Sequence, residues 1–232
     1  MPLQLGKRPG NYQRLIIRFD LVPVLLARGF FMTIYYKNMS EVTETITELL
    51  QSVGLDADYR TESLTLLEKG ESRYLRDFKL NFASTLTSEH LSTKECALLG
   101  LSVAINNNNS PLTKHYTKYA EEQGATPADI AEAAACASLL ASNNVFYRFR
   151  HFTQKDKYNQ IPARIRMQIM MKPVAGKEFF ELMSLTISAV NGCELCVNAH
   201  EDSLIKMGTT EERIFDAIRI ASLVTATGKI LL

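Results

Sequence analysis

The first clear pattern of hydrophobic and polar positions is an apolar stripe that follows Ser40. Its members recur at helical spacing, at Val42, Ile46, Leu49, Leu50 and Val53. Ser40 can cap the start of such a helix with its hydroxyl, and Gly54 can end it in a left-handed conformation. The pattern therefore predicts an amphipathic helix between Ser40 and Gly54.

Two further helices are indicated by the residues that would cap them. Ser92 and Glu95 form a capping-box pattern ahead of the apolar run 97–105. Thr126 followed by Pro127 supplies an N-cap and a proline at the first helical position of an alanine-rich run. Strand-like alternation with tight glycine turns is absent from the sequence, so the predicted fold class is all-α.

The sequence resembles itself at an offset of 84 residues. The stretch GATPADI (124–130) aligns with GTTEERI (208–214), and LSVA (101–104) aligns with LTIS (185–188). Any two alanine-rich helical stretches share some similarity, but these also share a Gly-x-Thr signal and the lengths between such signals. An internal duplication is therefore predicted.

The predicted duplication divides one domain into two helical repeats. The repeats span about 75–150 and 160–232, with 154–162 as the linker between them, and both lie in a single domain over 39–232.

Residues 1–38 form a basic extension ahead of this domain, with six Lys or Arg residues and a single acidic residue. Its apolar run is interrupted by Arg18, Asp20, Pro23 and Arg28. A membrane span needs about 20 mostly apolar residues, and a signal peptide needs a clean apolar core before its cleavage site. Neither is predicted. We expect the extension to be poorly ordered, or to precede a true start at Met32 or Met39.

The composition gives the protein almost no net charge, and this argues against partners that are attracted by the overall charge of a protein. Hydrophobic residues make up 46% of the 232 residues and charged residues 22%, which is typical of a soluble globular protein. The net charge of +1 supplies no general attraction for nucleic acid or a membrane, so any partner must be recognised locally. We expect a cytoplasmic protein with no nucleic-acid or membrane partner.

The residues that can carry chemistry concentrate in NGCELCVNAH (191–200). The Asn-Gly pair can end one helix, which would place Cys193 near the start of the next. Cys193, Cys196 and His200 are then spaced i, i+3 and i+7 and share one helix face. Because the positive end of a helix lowers the pKa of a nearby thiol, the position favours a reactive thiolate.

Three interpretations of this cluster compete: a metal site, a redox dithiol, and ordinary core residues. Structural zinc normally takes four ligands, and the remaining histidines lie in the other half in no metal spacing, at His90, His115 and His151. A Cys-x-x-Cys pair can close and reopen a disulfide, and a thiolate can attack a peroxide to form a sulfenic acid. Thiol redox chemistry is therefore favoured, with the substrate left open.

The rest of the chain indicates a single site. At the 84-residue offset, the two cysteines and the histidine align with Asn109, Leu112 and Tyr116, so one half lacks the dithiol. Cys96 and Cys136 lie in alanine- and leucine-rich stretches, where a free thiol is usually a small buried hydrophobe. One active half and one degenerate half are predicted.

The stretch FELMSLTISAVNGCELCVNAHE (180–201) resembles the alkylhydroperoxidase D (AhpD) family, within the carboxymuconolactone decarboxylase-like superfamily. The family signature is a Glu, a Cys-x-x-Cys pair and a His four residues after the second Cys, which Glu181 and His200 complete here. Other similar stretches are RDFKLNFAS (76–84), NNVFYRFR (143–150) and RIRMQIMMKP (164–173). The resemblance runs from about residue 75 to the end.

The resemblance implies an all-helical duplicated fold, often trimeric, that reduces organic hydroperoxides and hydrogen peroxide without haem or another bound cofactor. It implies that Cys196 attacks the peroxide and that an exposed Cys193 resolves the product through a Cys193–Cys196 disulfide. His200 and Glu181 would manage protons. An external dithiol, dihydrolipoamide or a lipoyl-bearing dehydrogenase component, would restore the thiols, and an AhpC-like peroxiredoxin is a further implied partner.

Two features of the site residues depart from a simple match. Leu195 stands where the best-studied family members carry a second His between the cysteines, so one member of the proton relay is missing. Twelve residues of straight helix span about 18 Å, so Glu181 can meet the cysteines only if the chain folds back. Without the resemblance, Glu181 would be interpreted as a solvated carboxylate beside Glu178.

Two other functions stay open at this point. A lactone decarboxylase, the superfamily's other chemistry, needs no dithiol, and the paired cysteines argue against it. A redox-sensing interaction module would use the disulfide state to change its oligomerisation, with INNNNS (105–110) and the basic N-terminus as docking surfaces. The segment NNVFYRFR (143–150) is expected either near the site or at a subunit contact.

Overall fold

A computed structural model describes residues 41–232, and every regular element in that range is a helix. The helices are α1 (41–53), α2 (Glu62–Lys69), α3 (Tyr74–Ala83), α4 (Thr93–Asn106), α5 (Ser110–Glu122), α6 (Pro127–Thr153), α7 (Asp156–Gln160), a 3₁₀ turn (Gln168–Met171), α8 (Lys177–Val190), α9 (Glu194–Lys206) and α10 (Glu211–Ile230). The predicted all-α class is confirmed for this range. The predicted extension over 1–38 and the Ser40 cap lie outside the described residues.

Helix α1 buries the apolar stripe that the sequence pattern predicts. Its core-facing side chains have almost no exposed surface, namely Ile46, Leu49, Leu50 and Val53. Gly54 ends the helix with a φ of +77°, in the left-handed region that glycine adopts at little cost.

Both predicted caps are present. The Ser92 hydroxyl accepts the Glu95 N–H (3.3 Å), and the Glu95 carboxylate accepts the Ser92 N–H (2.8 Å), which completes a capping box at the start of α4. Thr126 and Asp129 make the same reciprocal pair at the start of α6, where Pro127 occupies the first helical position. These side chains satisfy backbone N–H groups that have no partner within the helix.

Two central helices, α4 and α8, organise the core. Nine consecutive residues of α4 (Cys96–Ala104) and ten of α8 (Phe179–Ser188) are buried, so each helix is enclosed on all sides. Helices α5, α6 and α10 pack on α4, and α6, α9 and α10 pack on α8. Glu181 lies within the buried stretch of α8, and so the core itself determines where this carboxylate lies.

The helix bounds recur at the 84-residue offset. Helices α8 and α9 begin and end 84 residues after α4 and α5, and α10 begins 84 residues after α6. The ion pair Lys94–Asp129 (2.7 Å) between α4 and α6 has its counterpart in Glu178–Arg213 (3.0 Å) between α8 and α10, with the charges exchanged. A duplication would produce such matches, although the duplication itself stays a prediction. The predicted linker contains α7 and is therefore partly helical.

No helix within 41–232 combines the length and the apolar character that crossing a bilayer requires.

Candidate active site

The turn between α8 and α9 presents the first cysteine. Helix α8 ends at Val190, Asn191 is its C-cap, and Gly192 turns the chain with a φ of +68°. The Cys193 N–H then donates to the Ser188 carbonyl (3.0 Å), and Cys193 becomes the N-cap of α9. The helix end at Asn-Gly and the helix start at Cys193 are both as predicted from the sequence.

Amide side chains that are buried or partly buried stabilise this turn. Asn144 on α6 donates to the Ser188 hydroxyl (2.9 Å) and accepts from the Asn191 side chain (2.9 Å). The side chains of Asn191 and Asn106 form a reciprocal pair of hydrogen bonds (3.1 and 3.0 Å), and Arg148 donates to the Asn191 backbone carbonyl. Because these hydrogen bonds are partly shielded from water and connect to one another, they restrict the position of the segment that carries Cys193.

The sequence allows the segment NNVFYRFR (143–150) to lie near the site or at a subunit contact, and in the structure part of it lies at the site. Besides Asn144 and Arg148, its residues Asn143 and Tyr147 line a cavity beside the dithiol. One feature of the sequence does point to this position: Asn143 and Asn144 are adjacent amides in an otherwise alanine-rich helix. Amides are poor residues for a helix interior unless a specific partner requires them.

Cys193 and Cys196 are joined in a disulfide, with their Cα atoms 5.3 Å apart. Cys96 and Cys136 are free and buried. Burial raises the pKa of the Cys96 thiol to about 11, with a further increase from the nearby Glu95 charge, and burial raises the pKa of Cys136 to about 12. Both therefore remain neutral, unreactive thiols at physiological pH.

The expectation that Cys193 is the exposed cysteine is wrong for the disulfide form. Cys193 has 0% of its surface exposed, and Cys196 has 7%. Cys193 is buried because it is the N-cap of α9: its backbone N–H is hydrogen-bonded to the end of α8, and its sulfur is bonded to Cys196. Of the two cysteines, Cys196 is the one that keeps some exposed surface.

The N-terminus of α9 lacks the side-chain cap that is present at the N-terminus of α5, the helix 84 residues earlier. Asn109, at the equivalent position before α5, accepts the Leu112 N–H on its side chain (2.9 Å). Cys193 makes no such side-chain hydrogen bond. The first N–H groups of α9 and the positive end of its dipole are thus available to a thiolate at Cys193 or Cys196.

Glu181 and His200 form a buried pair across two helices. Glu181 Oε2 lies 2.6 Å from His200 Nδ1, and the side chains are only 11% and 12% exposed. The reversal at Gly192 packs α9 against α8, which is the folding back that this meeting requires. A carboxylate can only accept a hydrogen bond, so Nδ1 is the donor in this pair, and Nε2 lies on the opposite side of the ring from Glu181.

A cavity of about 330 Å³ opens beside the disulfide. Its walls are mainly apolar and come from α6, the segment around the 3₁₀ turn, and α9: Leu140, Asn143, Tyr147, Met167, Met170, Leu195, Cys196, Ala199 and His200. Cys196 and His200 both face this space, whereas Cys193 is not part of its lining. Leu195 adds apolar surface to the wall, with 42% of its own surface exposed.

The histidines outside the dithiol face have other surroundings. His115 packs against the rings of Phe82 and Tyr116, and its burial lowers its pKa. His151 Nε2 lies 3.5 Å from the Glu194 carboxylate. Within residues 41–232, no group of three or more His, Cys, Asp or Glu side chains is arranged to hold a metal ion.

The fold and the site together define an all-helical protein with a Cys-x-x-Cys dithiol beside a buried Glu–His pair. The family model described as Carboxymuconolactone decarboxylase family matches residues 158–231, which include all four site residues. A protein named alkyl hydroperoxide reductase AhpD from Anaeromyxobacter dehalogenans (strain 2CP-C) is 40% identical over 151 residues, covering 65% of this chain and 81% of the relative.

Proteins with the same name from other bacteria match over a similar length. The one from Brucella canis is 38% identical over 152 residues, which cover 65% of this chain and 86% of the relative. The one from Coxiella burnetii (strain Dugway 5J108-111) is 36% identical over 160 residues, which cover 68% and 90%. The chain belongs to the AhpD family, within the carboxymuconolactone decarboxylase-like superfamily.

Proposed function

We propose that the protein is an AhpD-type oxidoreductase, a peroxidase that reduces organic hydroperoxides and hydrogen peroxide through its Cys193/Cys196 dithiol. The observation that carries the proposal is the arrangement of Cys196 and His200 on one apolar cavity, with His200 oriented by the buried Glu181. The name of the relatives, alkyl hydroperoxide reductase, supports the same activity.

In the first step Cys196 is the peroxidatic thiol. Nε2 of His200 accepts the thiol proton, and the Glu181 carboxylate stabilises the imidazolium that forms. The Cys196 thiolate attacks the terminal oxygen of the hydroperoxide, the O–O bond breaks, and the leaving alkoxide takes the proton back from His200. The products are an alcohol and the Cys196 sulfenic acid. With Leu195 in place of a second His, this proton transfer depends on His200 and Glu181 alone.

In the second step Cys193 resolves the sulfenic acid. Its sulfur attacks the Cys196 sulfur, water leaves, and the Cys193–Cys196 disulfide forms. The full burial of Cys193 supports this role, because a thiol without access to solvent reacts with the neighbour on its own helix and is protected from other oxidants.

In the third step an external dithiol restores the enzyme, and no bound cofactor takes part. A thiolate of dihydrolipoamide, or of a lipoyl-bearing dehydrogenase component, attacks the sulfur of Cys196, the cysteine that lines the cavity. Cys193 leaves as a thiolate that the N-terminus of α9 stabilises, and the second lipoyl thiol completes the exchange. The reduced dithiol can also reduce the disulfide of an AhpC-like peroxiredoxin.

The protein is further proposed to be a cytoplasmic homotrimer. Val145, Phe149 and Phe152 lie at i, i+4 and i+7 on α6 and expose apolar surface, which supports association between copies. Light scattering at several concentrations tests the assembly, since a trimer has three times the mass of the 26.1 kDa chain.

The proposed activity is tested by peroxide consumption with purified protein. Loss of cumene hydroperoxide should require both the protein and dihydrolipoamide, and a lipoylated lipoyl domain should replace dihydrolipoamide while its unlipoylated form should not. No protein-dependent consumption with any of these reductants would reject the proposal.

A decarboxylase acting on a lactone is the second candidate, favoured by the description of the matching family model. Such chemistry does not need the dithiol. Release of carbon dioxide from 4-carboxymuconolactone that persists in a double Cys193→Ser, Cys196→Ser variant would place this function first.

A further inference from the structure

Asn143 is an unusual member of the cavity wall. It lies on α6, lines the cavity together with Cys196 and His200, and has only 4% of its surface exposed. Its Nδ2 donates to the Met167 sulfur (3.2 Å), while its Oδ1 has no hydrogen-bond partner among the described residues.

The neighbouring amide shows what a purely structural asparagine does in this fold. Asn144 is equally buried, and both ends of its amide are used, one by Ser188 and the other by Asn191. Asn143, by contrast, donates from its amide nitrogen to a thioether sulfur, which is a weak acceptor, and its amide oxygen has no partner among the described residues. Leaving a buried carbonyl unpaired destabilises a protein, and most buried polar atoms in proteins are paired.

The chemistry of the cavity indicates what would pair with this oxygen. An organic hydroperoxide carries one O–H donor, on the oxygen that Cys196 attacks, and its organic group is apolar. Leu140, Met170 and Leu195 offer apolar surface for the organic group. Oδ1 of Asn143 is a buried acceptor on a residue of this wall, and no donor among the described residues pairs with it.

We propose that Asn143 is a substrate-binding residue that accepts a hydrogen bond from the O–H of the hydroperoxide and so orients its terminal oxygen toward Cys196. The inference rests on the proposed peroxidase function. Asn143 undergoes no covalent change, and the proton and the electrons move as described for Cys196 and His200.

The same contact discriminates between ligands of equal shape. A buried polar group that binds a ligand hydroxyl disfavours the isosteric ligand that lacks it, because the protein atom is then left unpaired. The cavity should therefore prefer 2-phenylpropan-2-ol, which has an O–H group, to tert-butylbenzene, which has a methyl group in its place.

A binding experiment tests this preference without any peroxide chemistry. The reduced protein is alkylated with iodoacetamide, and the concentration of each ligand that halves the labelling rate of Cys196 is measured. We expect the alcohol to protect at a concentration about tenfold lower than the hydrocarbon, after correction for their partition into octanol. Equal protection by the two ligands in the wild-type protein would overturn the proposal, whether or not the protein is a peroxidase.

A kinetic experiment with Asn143→Leu tests the effect on the reaction. Leucine keeps the branched shape of asparagine and removes its hydrogen bonding. We expect the oxidation of reduced Cys196 by cumene hydroperoxide, followed by stopped flow, to slow by about 10- to 100-fold. The ligand preference should disappear, and the reduction of the disulfide by dihydrolipoamide should stay within about twofold of the wild type.

The control is Asn81→Leu, the same exchange at an exposed position of α3 outside the cavity lining, which should oxidise at the wild-type rate. Oxidation of Asn143→Leu at the wild-type rate would reject the proposed role of Asn143. A wild-type protein that is not oxidised by hydroperoxides would instead reject the peroxidase function, and the ligand preference would still decide the role of Asn143.

Discussion

The Glu181 carboxylate lies 2.6 Å from the imidazole of His200, although 19 residues separate the two in the sequence. The contact joins α8, a helix with ten buried residues, to the helix that carries the dithiol. It fixes the tautomer and the orientation of His200 on the wall that Cys196 shares, and it places a negative charge behind the ring.

Replacing Glu181 with Gln should impair the chemical step. The substitution removes the charge that stabilises the imidazolium, so oxidation of reduced Cys196 by cumene hydroperoxide should slow by about 100-fold. The control is Glu178→Gln on the same helix, because Glu178 pairs with Arg213 and lies outside the cavity lining. Glu178→Gln should keep the oxidation rate while lowering stability. Wild-type oxidation in Glu181→Gln would contradict the role given to this carboxylate.

The four cysteines should separate into two reactive and two inert thiols. Burial raises the pKa of Cys96 to about 11 and of Cys136 to about 12, whereas Cys193 and Cys196 lie at the uncapped start of α9. Iodoacetamide at pH 7 should label Cys196 of the reduced native protein and leave Cys96 and Cys136 unlabelled, and mild peroxide should convert the Cys193/Cys196 dithiol to an intramolecular disulfide. Peptide mapping measures both. Labelling of Cys96 or Cys136 at the rate of the dithiol would contradict the prediction.

Leu195 should contribute to the binding of organic hydroperoxides. Leu195→Ala removes part of the apolar wall and should raise the KM for cumene hydroperoxide by about fivefold, equivalent to roughly 1 kcal/mol of apolar contact. Hydrogen peroxide, which has no organic group, should be consumed as before. Ile205→Ala is the matched control, because Ile205 is an aliphatic residue on the same helix with the same 42% exposure and is outside the cavity lining. A similar change for both substrates would argue against a specificity role.

Glu95 should make stability depend on pH. Burial alone would raise its pKa, but hydrogen bonds from Arg213 and Ser92 hold the pKa of Glu95 below its ordinary value of 4.5. A carboxylate with a lowered folded-state pKa stabilises the protein above its unfolded pKa, and this contribution is lost as the pH falls through the folded pKa. Glu95→Gln should therefore cost about 1–2 kcal/mol at pH 7 and progressively less below about pH 4.5. Urea unfolding at pH 7 and at pH 3.5 tests this, and a constant difference would contradict it.

Local signals in the sequence predicted what depends on neighbours along the chain. The capping box of Ser92 and Glu95 and the glycine turn at Gly192 need only residues within one helical turn, and both were found where the pattern placed them. The contact between Glu181 and His200 depends on how α8 and α9 pack, and periodicity alone does not determine that packing.

Adjacent residues of one type also show the limit of sequence reasoning. Asn143 and Asn144 are identical in chemistry, yet Asn144 stabilises the turn before the dithiol and Asn143 lines the cavity. The burial of Cys193 was likewise mispredicted, because it follows from a backbone contact with the end of α8.

The most direct test of the central claim compares the two cysteines of the dithiol in one assay, the dihydrolipoamide-dependent consumption of cumene hydroperoxide. The wild-type protein should turn over repeatedly. Cys193→Ser should be oxidised once, to a Cys196 sulfenic acid detectable by mass spectrometry with dimedone, and Cys196→Ser should consume no peroxide above the uncatalysed rate. Wild-type turnover in Cys196→Ser would show that Cys196 is not the residue that reacts with the peroxide.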